Sequence, residues 1–252
     1  MSDWQPLLAE LREWEASGLT LPFWWRDDDA IHDTAALRQL GDMARASELS
    51  VCIAVIPAKA DQTLAEYLSN TPNVIALVHG WAHKNHAPAC EKKAEFGAHR
   101  PLDTMAQELE RGFGRLHNLF GSRLQPVFVP PWNRITPDLV RRLPELGFRV
   151  LSTATPRKAR WAAPELEQIN THIDPIDWHG TRSLVDEALL IARLTALLRD
   201  RREGRSDVTE PLGLLTHHLV HDAAIWSFCA RLVDVLMSGP ARPWNPFKGD
   251  IG

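Results

Sequence analysis

Val78-His79-Gly80-Trp81-Ala82-His83 is the stretch on which the reading of this chain turns. It continues the apolar run Val74-Ile75-Ala76-Leu77, which is short and aliphatic and predicts a buried parallel strand ending at His79. His83 follows four residues later, so a turn leaving the strand would bring both imidazoles to one side. Two neutral imidazoles can hold a divalent metal, but a hydrolytic site also needs a carboxylate ligand, a base and a proton donor. Two histidines at this spacing fit the lining of a polar pocket equally well. The surrounding sequence has to decide.

Upstream, Leu21-Pro22-Phe23-Trp24-Trp25 reads as an apolar strand stopping at Arg26-Asp27-Asp28-Asp29. Three adjacent carboxylates repel one another unless a cation is near. The alternative is a solvated acidic turn, with Asp29 or Asp33 capping a helix over residues 32–49. A second strand is predicted over 50–57 and a helix over 61–68. Residues 87–101 are polar and irregular, as expected of a surface loop that shapes a pocket. Residues 103–120 form an amphipathic helix capped at Asp103 and ended by Gly121. The fourth strand, 126–129, runs into Pro130-Pro131-Trp132-Asn133-Arg134, where two prolines impose a rigid turn. A helix over 136–146 and strands over 148–152 and 168–173 follow. The sixth strand leads into Asp174-Pro175-Ile176-Asp177-Trp178-His179. A long helix over 184–202, a last strand over 212–216 ending in His217-His218, and a helix over 223–237 complete the pattern.

Strand and helix alternate at even spacing with no Gly- or Ser-rich linker, which predicts one parallel α/β domain over 1–252. Within it, 1–20 is an N-terminal helix, 21–238 the barrel, and 239–252 a Pro-rich tail ordered only where Trp244 and Phe247 pack. An open doubly wound sheet is the competing topology, but no Gly-rich phosphate loop follows the first strand. In a closed barrel all strand C-termini share one face, and the suspicious residues all follow strand ends.

Composition agrees with an ordinary soluble globular protein. The chain has 252 residues, 44% of them hydrophobic and 24% charged, with a formal net charge of −4. That charge leaves no basic footprint for nucleic acid. No apolar run is long enough to span a membrane, and the N-terminus lacks the apolar core of a signal peptide. Cys52, Cys90 and Cys229 are odd in number and widely spaced, as expected of free thiols in a reducing compartment. The expectation is a cytoplasmic protein.

These pieces in this order resemble the polysaccharide deacetylase (NodB-homology) family, whose members remove acyl groups from sugars. The first motif, Phe-Asp-Asp-Gly, corresponds to Arg26-Asp27-Asp28-Asp29. The second, His-(Ser/Thr)-x-x-His, corresponds to His79 through His83, with Gly80 in the hydroxyl position. Arg-x-Pro-Tyr becomes Val129-Pro130-Pro131-Trp132, the Asp-Trp pair is Asp177-Trp178, and Leu-x-His is Leu215-Thr216-His217. The resemblance spans residues 21–236 and implies a distorted (β/α)7 barrel. It implies a divalent metal, with Zn²⁺ expected, held by Asp28, His79 and His83. It makes Asp27 the general base, His217 the general acid and Asp177 the group that orients His217. The backbone N–H of Trp132 would stabilise the oxyanion, while Trp178 and Leu215 would form a slot for the acyl methyl. The implied activity is hydrolysis of an acyl group, acetyl above all, from an amino sugar or related small carbohydrate.

Several positions depart from the motifs. The third-motif arginine is Val129 here, and Arg26 or Arg134 is available to replace it. Asp29 stands where glycine is usual, so Asp28-Asp29 is an alternative base–ligand pair; Asp27-Asp28 keeps the phase of strand to motif. His218 and His221 flank His217, and either is an alternative acid. His86, seven residues after His79, is an alternative third imidazole on that face, with a place behind the ligands or on the surface as the simpler reading. His179 could reach the pocket, although nothing requires it. Two other readings keep the fold: a metal-independent hydrolase of a small cyclic amide, and a sugar-binding relative without activity.

Overall fold

The computed structural model describes residues 2–245. Its central strand, β1 (Leu21–Ala30), runs through the acidic triplet instead of stopping at Trp25. The ladder explains why. Arg26 and Asp27 sit in register with Cys52 and Ile53 of β2 (Val51–Val55) on one side, and with Leu215 and Thr216 of β8 (Leu212–Thr216) on the other. Arg26 and Asp27 are therefore in register with both neighbours, the ladder to β2 shifts between Asp27 and Ala30, and the buried charged side chains have to find partners inside the protein.

The remaining elements are α1 (Gln5–Ala16), α2 (Ala35–Ala46), α3 (Gln62–Asn70), β3 (Val74–His79), α4 (Leu102–Phe120) and β4 (Leu124–Val129). After them come α5 (Pro137–Arg142), β5 (Val150–Leu151), β6 (Trp161–Ala163), β7 (Leu166–Gln168), α6 (Glu187–Arg202), α7 (Ala223–Met237) and β9 (Ala241–Pro243). The sheet order is β6-β7-β5-β4-β3-β2-β1-β8, with β9 also against β1. Every described pairing is parallel except the short β6–β7 hairpin. Just past β7, Ile173 bridges Leu214 of β8, with Leu215 N–H donating to the Ile173 carbonyl at 2.7 Å. That bridge sets the segment after β7 against β8 by a few hydrogen bonds, and no full ladder closes the distorted barrel there.

Strand alternation divides the core in two. Trp24, Cys52, Ala54, Leu77, Val127, Val129, Val150 and Ile169 pack together on one face of the sheet. The opposite faces of the same strands, among them Phe23, Trp25, Val51 and Ile53, pack with the helices in the larger cluster. The alternation also sorts charge, because Arg26 and Asp28 belong to one face of β1 and Asp27 to the other.

Some boundaries differ from expectation for local reasons. The helix expected from residue 32 starts at Ala35, because the Thr34 hydroxyl rather than Asp29 or Asp33 accepts the Leu37 N–H at 3.0 Å. The helix expected from residue 184 starts at Glu187, where Asp186 caps it. The expected tail contributes a strand, β9, and Trp244 sets its ring edge-on to Trp24 at 6.2 Å. Phe247 lies outside the described residues. No described helix is long and apolar enough to cross a membrane.

Candidate active site

β3 delivers His79 to the C-terminal end of the sheet, where Gly80 turns the chain with φ +59°. A Cβ at residue 80 would fall 2.6 Å from the Pro131 ring, so the hydroxyl residue usual at this motif position does not fit. His83 also has a left-handed φ, +54°, and its ring lies 5.1 Å from that of His79 and 4.4 Å from that of Trp132. His79 Nδ1 is 3.0 Å from the Val129 carbonyl, a contact that requires the proton on Nδ1 and leaves Nε2 directed into the site.

The carboxylate that meets these imidazoles is Asp29, not the expected Asp28. Asp29 Oδ1 lies 3.2 Å from His79 Nε2 and 3.3 Å from His83 Nε2. Asp29 lies inside β1 where the register to β2 shifts between Asp27 and Ala30, and its φ of +75° swings its carboxylate toward β3. One donor atom from each of the three residues falls within 4.8 Å of the others, the only such group among the described residues. The Asp29 Oδ1 atom is buried and accepts no aligned hydrogen bond. Burial alone would raise the Asp29 carboxyl, but His79 and His83 outweigh it and hold it well below the usual carboxylate range. Burial lowers His79, while Asp28 and Asp29 raise it to a net increase; His83 is lowered by burial and by His79. A carboxylate oxygen facing two inward nitrogens needs a positive charge between them. Two imidazoles and one carboxylate form a donor set suited to a divalent metal. The residues fit the metal.

Asp28 is occupied elsewhere. Its Oδ2 accepts from Arg26 Nη2 at 3.0 Å, and its Oδ1 makes an ion contact with Arg26 Nε at 2.9 Å. The fully buried guanidinium also donates to Ser152 Oγ at 2.8 Å, the Thr153 carbonyl at 3.1 Å and Asn133 Oδ1 at 2.8 Å. Of the two arginines available for the third-motif role, Arg26 is the one that holds Asp28. Arg134 points to the Lys93 carbonyl on the surface.

Asp27, expected as the base, faces the opposite side of β1. It accepts from Thr216 Oγ1 at 2.7 Å and from the His218 N–H at 2.9 Å, and it lies 2.5 Å from His218 Nδ1. Burial would raise the Asp27 carboxyl, but His218 overrides it and lowers it; the partner imidazole is raised against its own burial. His218 is therefore the buried counter-ion of Asp27, and strand alternation excludes Asp27 from the imidazole pair.

His217 projects to the same side as Leu215, with Trp178 edge-on at 4.6 Å. Its Nδ1 is buried without a hydrogen-bond partner, and its N–H donates to His221 Nε2 at 3.3 Å. Asp177, expected to orient it, closes its own turn by accepting from the N–H groups of Gly180 and Thr181, both at 3.0 Å. Asp174 is the acid on the His217 side: burial raises its carboxyl, His217 opposes the rise, and Trp178 Nε1 donates to it at 2.8 Å. Burial drives His221 down to about 4, so it is a neutral acceptor. Leu215 lines a cavity of about 550 Å³ with Asn133, Ile173, Asp174, Leu190 and Leu194. Trp178 stands beside His217 instead of in that lining.

Solved structures share this architecture. A family 4 carbohydrate esterase from Streptomyces lividans, in complex with acetate, superposes with a TM-score of 0.59 at 11% identity, covering 89% of this chain and 92% of that one. The chain has the fold of the family 4 polysaccharide deacetylases. The peptidoglycan deacetylase PdaC from Bacillus subtilis matches at 0.54 with 12% identity over 89% and 87% of the two chains. A family 4 pseudoenzyme from Bacillus anthracis matches at 0.53 with 12% identity over 85% and 61%. No protein-family model and no curated protein sequence matches the chain.

Proposed function

We propose that this protein is a metal-dependent hydrolase that removes an acyl group, acetyl above all, from an amino sugar or related small carbohydrate. The observation that carries the proposal is the convergence of Asp29 Oδ1, His79 Nε2 and His83 Nε2, with the carboxylate oxygen buried and lacking an aligned donor. The Streptomyces esterase with acetate and the Bacillus peptidoglycan deacetylase support the substrate class.

In this reading Asp29, His79 and His83 hold a divalent ion, Zn²⁺ by the chemistry of the donors. The ion would polarise the acyl carbonyl and acidify the attacking water. Asp28 is the general base and accepts the proton of that water, with Arg26 fixing its orientation. The main-chain N–H of Trp132 helps hold the oxyanion. His217 is the general acid: its proton goes to the nitrogen as the C–N bond breaks, so a free amine and a carboxylate leave. Trp178 packs edge-on against the His217 ring, and Asp174, which accepts from Trp178 Nε1, lies on the same side. Leu215 and the cavity it lines accept the acyl methyl.

The test pairs metal analysis of the purified protein with acetate release from N-acetylglucosamine and its short oligomers. About one Zn²⁺ per chain and metal-dependent acetate release are expected. Acetate release that persists after complete removal of metal would reject the metal-dependent reading in favour of the metal-independent one.

A further inference from the structure

Glu95 is completely buried, yet it lies in the polar segment between β3 and α4 where a loop was expected. Its carboxylate faces the turn that joins the two histidines. Oε2 accepts from the Trp81 N–H at 3.2 Å, and Oε1 from the N–H groups of Ala82 at 2.8 Å and Lys84 at 3.4 Å. The left-handed φ angles at Gly80 and His83 turn these N–H groups to one side, making a concave cradle for an anion. The cradle is closely fitted, since a Cβ at residue 80 would lie 2.2 Å from Glu95 Oε2. Glycine at 80 and the carboxylate at 95 therefore go together.

The clamp is anchored outside the turn. Arg100 Nη1 donates to the Glu95 carbonyl at 2.9 Å and to Glu108 on α4 at 2.9 Å, while Arg100 Nη2 donates to Glu108 at 2.8 Å. The Phe96 carbonyl, next in the chain, accepts the Thr136 N–H at 2.8 Å. Glu95 touches neither imidazole. Its hydrogen bonds fix the backbone on both sides of His83, a residue held in a conformation that non-glycine residues avoid.

We infer that Glu95 is the positioning residue of the metal turn: it holds the His79–His83 loop in the shape that sets His83 Nε2 against Asp29. The inference rests on the metal-dependent reading above. Removing a group that orients a ligand from behind typically weakens metal binding by roughly 10- to 100-fold.

The test compares the full chain with Glu95→Gln and Glu95→Ala. Zn²⁺ affinity is measured by competition with a chromophoric chelator, and the visible spectrum is recorded with Co²⁺ in place of Zn²⁺. Circular dichroism checks that each variant is folded. Glu95→Ala should lose about tenfold or more in Zn²⁺ affinity. Glu95→Gln, near in shape but presenting an amide to N–H donors, should lose less and should shift the Co²⁺ bands. A merely structural role would lower the melting temperature and leave the Co²⁺ spectrum of the folded protein unchanged. Should Glu95→Ala fail to fold, Glu95→Gln decides alone, since wild-type Zn²⁺ affinity with a wild-type Co²⁺ spectrum overturns the inference. A wild-type protein that binds neither ion defeats the metal reading itself, a result separable from equal binding by wild type and variants.

Discussion

Replacing Arg26 with methionine should be among the most damaging single changes in this protein. The guanidinium is fully buried and holds Ser152, Thr153, Asn133 and both oxygens of Asp28. Methionine fills much of the volume, so the loss is chiefly electrostatic. Asp28 would remain as a buried carboxylate without its counter-ion, a defect that costs about 3–5 kcal/mol. Against a total stability of about 5–15 kcal/mol, that is a large fraction. For a chain of this size each kcal/mol moves the melting temperature by about 2–4 °C, so a fall of roughly 6–20 °C is expected. Urea denaturation at pH 7 gives the free energy, with the slope checked for unchanged cooperativity. The double variant Arg26→Met/Asp28→Asn removes the stranded charge and should recover part of the loss, although Asn133 Oδ1 and the Thr153 carbonyl stay without their donor. A loss below about 1 kcal/mol, the scale of an exposed pair, or a double variant no more stable than Arg26→Met, would refute the view that Arg26 exists to hold Asp28.

The acidic triplet gives a second test: Asp29→Asn should lose bound metal, whereas Asp28→Asn should retain it and lose roughly 10²- to 10⁴-fold in kcat, as elemental analysis and acetate release would report. Metal lost from Asp28→Asn and kept in Asp29→Asn would reverse the two roles. His217→Ala should depress hydrolysis of an amide far more than that of an activated aryl ester of the same acyl group, since only the amine needs a proton to leave. His218→Ala should instead lower stability at pH 7 by about 3–5 kcal/mol by stranding Asp27; equal losses on the two substrates in His217→Ala would remove it as the acid. The Asp27–His218 pair also predicts a pH window. The folded Asp27 value lies below its ordinary 3.8, so its contribution is full above that pH and lost as pH falls through the folded value. The folded His218 value lies above its ordinary 6.5, so its contribution is full below that pH and lost as pH rises through the folded value. The stability difference between wild type and Asp27→Asn/His218→Gln should therefore be greatest between 3.8 and 6.5. A difference that stays flat from acid to alkaline pH would contradict this pairing.

Much of the site was legible at strand ends. The aliphatic run before His79 fixed β3, Leu-x-His fixed β8, and the Pro-Pro turn brought Trp132 against His83. In the acidic triplet the structure sets Asp29, one residue past the expected Asp28, against the imidazoles. A strand expected to end at Trp25 leaves the face of each acid undefined, and one step of phase moves every side chain to the other face. The error at Asp177 has a similar origin: an Asp-Trp pair in sequence says nothing of which way a turn carries the carboxylate. Its oxygens cap the turn at Gly180 and Thr181, while Asp174, three residues earlier, lies on the His217 side. Glu95 left no sequence signal, because its partners are backbone N–H groups and any residue type supplies those.

The sequence by itself determined the parallel α/β class, the order of the elements, and the residue types gathered at the strand ends. These are local properties: aliphatic runs, helix periodicity and turn residues act over a few neighbours along the chain. Only the tertiary structure decided which acid meets the imidazoles, that Arg26 pairs with Asp28, and that His218 neutralises Asp27 and not the site. Those choices depend on strand phase, on a left-handed twist at Asp29, and on contacts between residues distant in sequence. Charge makes the choices strict, since each carboxylate buried in the barrel needs its own partner within reach.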